Sequence, residues 1–220
     1  MREVVIPGEF LGKGINCGKW TYRDKENIYS SVFGIKVMRE NTVSVTPLYG
    51  KYLPEKNDIV IGNVIDATPS LWVVDINSPY IGLLLIEESP WNVKYGETSY
   101  YLKKNDTIIT KVLTINENKK TFLTMKERGL KKIMEGTIIE IEPAKIPRLV
   151  GKSGSMITLI KRYVKCSIAI GKNGLVWVCG ESNDIDIVNK IIELIEKESH
   201  IYGLTEKITK MLKDTYGDKL

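Results

Sequence analysis

The stretch LVGKSGSMI, residues 149–157, holds two overlapping chemical possibilities. Its Gly151-Lys152-Ser153 triplet could end an ATP-binding loop, and its Gly151-Lys152-Ser153-Gly154 tetrad could hold a polynucleotide backbone. The ATP loop requires G-x-x-x-x-G-K-[ST], with a first glycine five positions before the second, so that successive N–H groups curl around the phosphates. That place is Ile146, and Pro143 and Pro147 fall where the tight strand-to-loop turn would be. No downstream Asp stands at a strand end to hold magnesium. The spacing rejects the ATP reading.

The tetrad fits a different chemistry. Glycine at both corners lets a backbone approach a sugar-phosphate chain without a Cβ in the way. The helix expected from Ser155 onward offers unpaired N–H donors and a partial positive charge at its start, and Lys152 adds a formal cation. A bare glycine-rich turn between helices is the alternative. A second tetrad, Gly171-Lys172-Asn173-Gly174, lies between two expected strands, where Asn-Gly favours a type I′ hairpin turn. It is expected to be structural, with Lys172 adding to a basic face.

Charge distribution supports the first tetrad. From 143 to 180 there are seven basic residues (Lys145, Arg148, Lys152, Lys161, Arg162, Lys165 and Lys172) and no Asp or Glu, whereas 181–198 carries six acids against two lysines. One face of the C-terminal third is therefore expected to be electropositive, in a chain whose overall net charge is only +5.

Catalytic constellations are sparse. His200 is the only histidine, past the end of an expected helix, and nucleophilic Ser or Cys sites usually need a histidine base. Cys17, Cys166 and Cys179 are widely spaced with no C-x-x-C, so neither a disulfide framework nor a zinc site is expected. Asp184 and Asp186 stand at the start of an amphipathic helix, where acids favour the dipole, rather than converging on metal ions. No cofactor or metal is expected. No segment approaches the ~20 apolar residues of a membrane span, and the start, MREVVIPGEF, lacks a secretory apolar run. The chain is expected to be soluble and cytoplasmic, with no membrane partner.

Three blocks must position these residues. Residues 1–55 alternate short β-type runs (EVVIP, IYSSVFGIKVM, NTVSVTPL) with turn clusters, which argues for a small all-β unit. Residues 56–128 offer five strands at 59–65, 71–76, 81–86, 107–115 and 122–125, with a long irregular link after the third. That pattern fits a small OB-type barrel, with or without a ligand. Residues 134–220 run strand, G-x-x-G, helix, strand, strand, helix. The helix in SNDIDIVNKIIELIEKES has Ser182 or Asn183 as possible caps and a stripe of Ile185, Val188, Ile191, Ile192 and Ile195. A further helix follows Gly203. The fold class is thus multidomain: a β-rich N-terminal unit, an OB-type β-barrel, then an α+β domain.

Leu149-Val150 before the tetrad and Ile157 after it match [IV]-[IV]-G-x-x-G-x-x-[IL], so the last block resembles a KH domain, whose G-x-x-G loop holds about four backbone nucleotides. The whole succession, with VVIPGEF, IYSSVFGIKV, VTPLYGKYLPEKNDIVIGNV, LWVVDINSPY and GKNGLVWV, resembles the RNA-binding cap subunits of the RNA exosome, over most of residues 1–180. The intact G-x-x-G resembles an archaeal rather than a eukaryotic form. The resemblance implies a non-catalytic subunit that binds single-stranded RNA. Three copies would cap a hexameric ring of RNase PH-like subunits and thread RNA into its pore for 3′-to-5′ degradation. The β-rich unit would dock on the ring, with the barrels around the pore.

One departure from the family pattern concerns the barrel. Barrels of the ribosomal-protein-S-one type usually carry F-x-x-F on the second strand; here Ser70 and Val73 stand in its place. Trp72 and Tyr80 are the aromatics nearby, and Trp72 could stack on a base or pack against protein. Lys111, Lys119 and Lys120 are the barrel's candidate RNA-binding cations, though Lys119 and Lys120 could equally be solvated turn residues. With Gly151, Lys152, Ser153, Gly154 and Arg148 they complete the candidate site. Two other functions use the same modules: a nuclease in its own right, and a translation- or ribosome-associated RNA-binding protein.

Overall fold

The computed structural model describes residues 3–198 and 203–217; His200 lies outside them. The chain divides into two compact units, 1–50 and 51–220. The first holds seven short strands: β1 (Val4–Val5), β2 (Phe10–Lys13), β3 (Asn16–Cys17), β4 (Thr21–Asp24), β5 (Asn27–Ser30), β6 (Gly34–Arg39) and β7 (Thr42–Pro47). They form a sheet ordered β1-β6-β7-β3 and another ordered β2-β5-β4, around Val5, Leu11, Ile28, Val43 and Val45. The run IYSSVFGIKVM is split between the two sheets. Buried Ser30 turns the chain by donating its hydroxyl to the Val32 carbonyl at 2.6 Å.

The second unit opens with a closed barrel of β8 (Ile59–Ala67), β9 (Leu71–Asp75), β10 (Gly82–Leu85), β11 (Thr107–Ile115) and β12 (Thr121–Thr124). The strands run β12-β10-β9-β8-β11, and β11 pairs back onto β12 to close the cylinder. Closure leaves β10 and β12 parallel and every other pair in the barrel antiparallel. Side chains alternate across each strand: Trp72, Val74 and Ile76 are buried while Asp75 is exposed. Each such aliphatic burial is worth about 1.5–3 kcal/mol. The link after β10 holds a 3-10 turn (Ile86–Glu88) and one short helix, α1 (Thr98–Tyr101). An additional strand, β13 (Lys131–Ile133), extends the sheet along the start of β11.

The remainder is α+β. Its elements are β14 (Thr137–Glu140), α2 (Ile146–Val150), α3 (Ser155–Tyr163), β15 (Ser167–Ile170), β16 (Leu175–Cys179), α4 (Ser182–Glu198) and α5 (Leu204–Tyr216). The antiparallel sheet is ordered β14-β16-β15. The helices bury Leu149, Ile160, Val188, Ile191, Ile195 and Ile208 against it. Helix α4 already begins at Ser182, so neither Ser182 nor Asn183 precedes its first turn. Asp184 is buried: it accepts the Lys165 N–H at 2.9 Å and the Tyr216 hydroxyl, tying α5 to the approach to β15. Burial, then that hydrogen bond, push the Tyr216 phenol well above its usual range.

Barrel and α+β region share a core. Ile61, Ile109 and Trp177 are buried together, with Leu130, Ile133 and Ile138 against them. The Trp177 indole N–H donates to the Glu135 carbonyl at 2.8 Å, and Lys131 Nζ lies 4.5 Å from its ring centroid.

Candidate nucleic-acid interface

The loop between α2 and α3 is built by two glycines with different obligations. Gly151 has φ 76° and ψ 174°, a region closed to residues with a Cβ. A Cβ there would also meet Met156 N at 2.7 Å and Met156 Cβ at 2.8 Å. Gly154 is left-handed at φ 81° and ψ 11°, but a Cβ on it would meet nothing nearer than Ile157 Cγ2 at 4.0 Å. One corner is pressed against protein and the other faces open space. Ser153 between them is also left-handed, at φ 51°.

Helix α3 starts directly behind this loop, its N-cap Gly154 has no side chain to cap it, and among the described residues no side chain bonds its first N–H groups. They keep their donors and the helix its partial positive end. Lys152, Ser153 and Arg148 are exposed beside it. Lys161, Arg162 and Lys165, on and after the last turn of α3, are exposed as well, and with Lys152 they make no ion pair among the described residues. The acid-free stretch thus yields a loop with a helix start, a lysine and a run of unneutralised cations. Such an array suits a phosphate backbone.

The second tetrad behaves differently. Asn173 is fully buried and Lys172 Nζ sits 2.6 Å from Asp58 Oδ1, so Lys172 brings no net charge to a basic face. The turn is also not type I′: Gly174, at φ 83°, is left-handed, and Asn173 is not. Gly171 N donates to Leu175 O at 2.8 Å and Gly174 N to Gly171 O at 3.3 Å, closing a three-residue hairpin loop with a glycine bulge.

In the barrel, the expected residues separate. Trp72 is fully buried, its indole N–H donating to the carbonyls of Thr98 and Leu102 at 3.2 Å each. It offers no face to a base and is corrected to a core residue. The alternation of β9 carried the signal: with Asp75 facing water, Trp72 and Val74 must face inward. Lys111 is half-buried and paired with Glu127 Oε1 at 2.6 Å. Lys119 and Lys120 are exposed in the β11–β12 turn, where Lys119 is left-handed at φ 61°. Tyr80 is half-buried, its N–H held by Ser78 Oγ at 3.0 Å. Sequence reasoning passed over Tyr95 and Tyr100, which are 76% and 84% exposed on the β10–β11 link. Among the described residues no His, Cys, Asp and Glu cluster could hold a metal ion, and no helix is long and apolar enough to cross a membrane.

Comparison with known proteins agrees with this division. Residues 53–126 match the S1 RNA binding domain and residues 136–184 the KH domain. The exosome complex component Rrp4 of Picrophilus torridus is 38% identical over 218 residues, 99% of this chain and 95% of that one. The chain belongs to the exosome Rrp4 family. The Rrp4 of Methanosarcina mazei is 40% identical over 214 residues, 97% of this chain and 82% of that one. A crystal structure described as an exosome complex RNA-binding protein superposes with TM-score 0.68 at 32% identity, covering 75% of this chain and 97% of that one. The S1-then-KH order expected from the sequence is therefore that of the Rrp4 family, whose modules bind RNA and are not catalytic.

Proposed function

We propose that the chain is the RNA-binding cap subunit of an exosome, recruiting single-stranded RNA and feeding it to an RNase PH-like ring for 3′-to-5′ degradation. The observation that carries this reading is the α2–α3 loop: a glycine corner with open space in front of it, an uncapped helix start behind it and exposed Lys152 between. Gly151, Lys152, Ser153, Gly154 and Arg148 hold the sugar-phosphate chain; Lys119 and Lys120 add charge at one end of the barrel.

Residues 1–50 supply the docking surface for the ring, with three copies per complex. Supporting this, seven of the fourteen exposed large apolar side chains among the described residues fall in that unit. Three of its aromatics form a ladder across one sheet, Phe10 to Tyr29 at 5.9 Å and Tyr29 to Tyr22 at 5.6 Å. Exposed apolar clusters of this kind mark protein contacts.

The test is reconstitution. Tagged full-length chain should co-purify with ring subunits and accelerate their degradation of a single-stranded substrate, while Lys152→Asp with Ser153→Asp should co-purify equally and lose the acceleration. A chain that shortens RNA unaided, or that co-purifies with ribosomes in place of ring subunits, defeats the proposal.

A further inference from the structure

The burial of Trp72 leaves the barrel without an exposed aromatic on its second strand, but not without exposed aromatics. The β10–β11 link carries Trp91, Tyr95, Tyr100 and Tyr101, which fall into two groups. Trp91 packs edge-on to Trp72 at 6.4 Å and against Tyr101 at 5.6 Å, and the Tyr101 hydroxyl donates to the Asn92 carbonyl at 3.2 Å. These rings are satisfied. Tyr95 and Tyr100, at 76% and 84% exposure, are the most exposed aromatics among the described residues, and neither ring nor hydroxyl has a partner there.

The segment bearing them is held firmly. Gly96 N donates to the Pro69 carbonyl at 2.8 Å, and the buried Thr98 hydroxyl donates to the Thr68 carbonyl at 2.7 Å. Trp72 fastens both ends of α1 through the carbonyls of Thr98 and Leu102. The link is thereby clamped to the β8–β9 loop, one of the loops through which OB barrels meet single strands. The backbone that carries the two rings is thus fixed before a flat partner arrives, so that only side-chain torsions remain to be ordered. Lys94, Lys103 and Lys104 flank them, all exposed and none in an ion pair among the described residues, against the single acid Glu97 within 94–104. Rings with cations on either side match a polymer of flat bases on an anionic spine. An apolar protein patch would not need the three unneutralised lysines.

We propose that Tyr95 and Tyr100 form a base-stacking platform for single-stranded RNA, with Lys94, Lys103 and Lys104 holding the phosphates. The platform rests on the RNA-binding reading above.

The test uses the full-length chain and a labelled single-stranded oligoadenylate in an anisotropy titration. Tyr95→Ala and Tyr100→Ala should each weaken binding about 5- to 150-fold, the range of one lost base stack. Tyr95→Phe and Tyr100→Phe should restore it, since the ring and not the hydroxyl stacks. The alanine variants should keep the wild-type slope of log affinity against log salt; Lys94→Ala, Lys103→Ala and Lys104→Ala should each flatten it by about 0.7. Alanine variants that bind like wild type, while Lys152→Asp with Ser153→Asp weakens binding, overturn the platform and leave RNA binding intact. Wild type that ignores the oligonucleotide overturns both. Alanine variants that keep RNA affinity but lose co-purification with exosome subunits assign the surface to a protein, against the proposal.

Discussion

The carboxamide of Asn173 satisfies both backbone groups of Ile61: Nδ2 donates to the Ile61 carbonyl at 2.6 Å, and Oδ1 accepts the Ile61 N–H at 3.2 Å. The same Nδ2 reaches the Ile76 carbonyl at 2.9 Å, and Asn77 returns a bond to the Asn173 carbonyl at 3.1 Å. Ile61 is in the barrel and Asn173 in the β15–β16 turn, so one side chain stands in for a strand partner across 112 residues. Asn173→Ala removes every one of its side-chain bonds and leaves buried groups on Ile61 unpaired, at about 1–3 kcal/mol for each orphaned group. Thermal melting should fall by several degrees. The melt should also broaden or split, because barrel and KH domain then unfold more independently. A variant that melts as wild type does would remove Asn173 from this role.

The two glycines of the α2–α3 loop should respond differently to alanine. Gly151→Ala meets both a backbone region closed to Cβ, with about 1–3 kcal/mol of strain, and the clash with Met156. Gly154→Ala meets only the left-handed penalty of about 1–2 kcal/mol, and Gly154→Asn should relieve part of that. Chemical denaturation of the three variants checks the order: Gly151→Ala least stable, then Gly154→Ala, then Gly154→Asn. Since the Gly154 corner faces open space, its alanine variant should lose RNA affinity out of proportion to its small stability change.

Tyr52 gives the fold an alkaline edge. Its hydroxyl donates to Asp58 Oδ2 at 2.8 Å inside the protein, and burial, then that bond and the Asp58 charge, raise its ionisation well above the ordinary 10. The folded state therefore holds the phenolic proton more tightly than the unfolded chain does. That contribution is full below pH 10 and is lost as pH climbs above it. Melting temperature measured between pH 8 and 11 should fall more steeply in wild type than in Tyr52→Phe, which in turn should start about 1 kcal/mol less stable at neutral pH for want of the hydrogen bond. Parallel pH profiles would contradict the assignment.

How much of this was legible beforehand follows the range of each interaction. The barrel strands could be placed within a residue or two because the runs of β-branched residues along 59–65 and 107–115, bounded by turn residues, are a local signal. The helix behind Gly154 was equally visible from its apolar spacing. Strand β13 was not, since Lys131-Lys132-Ile133 becomes a strand only by pairing with β11. Lys172 looked like a surface cation because Asp58, 114 residues earlier, is brought to it only by the fold. Tyr95 and Tyr100 were passed over for the same reason. Nothing local distinguishes them from Trp91 and Tyr101, which the same segment half-buries.

The central claim is that Gly151-Lys152-Ser153-Gly154, and not Gly171-Lys172-Asn173-Gly174, holds RNA. Titrating a labelled single-stranded RNA into full-length protein tests it most directly. Lys152→Asp with Ser153→Asp should weaken binding about 10- to 100-fold with an unchanged melt, since a phosphate-facing cation becomes two anions. Lys172→Ala should lower the melting temperature by unpairing buried Asp58 while binding RNA within about twofold of wild type, since that lysine faces a carboxylate, not a phosphate. Wild-type affinity in the first variant, or a matching loss in the second, would contradict the account.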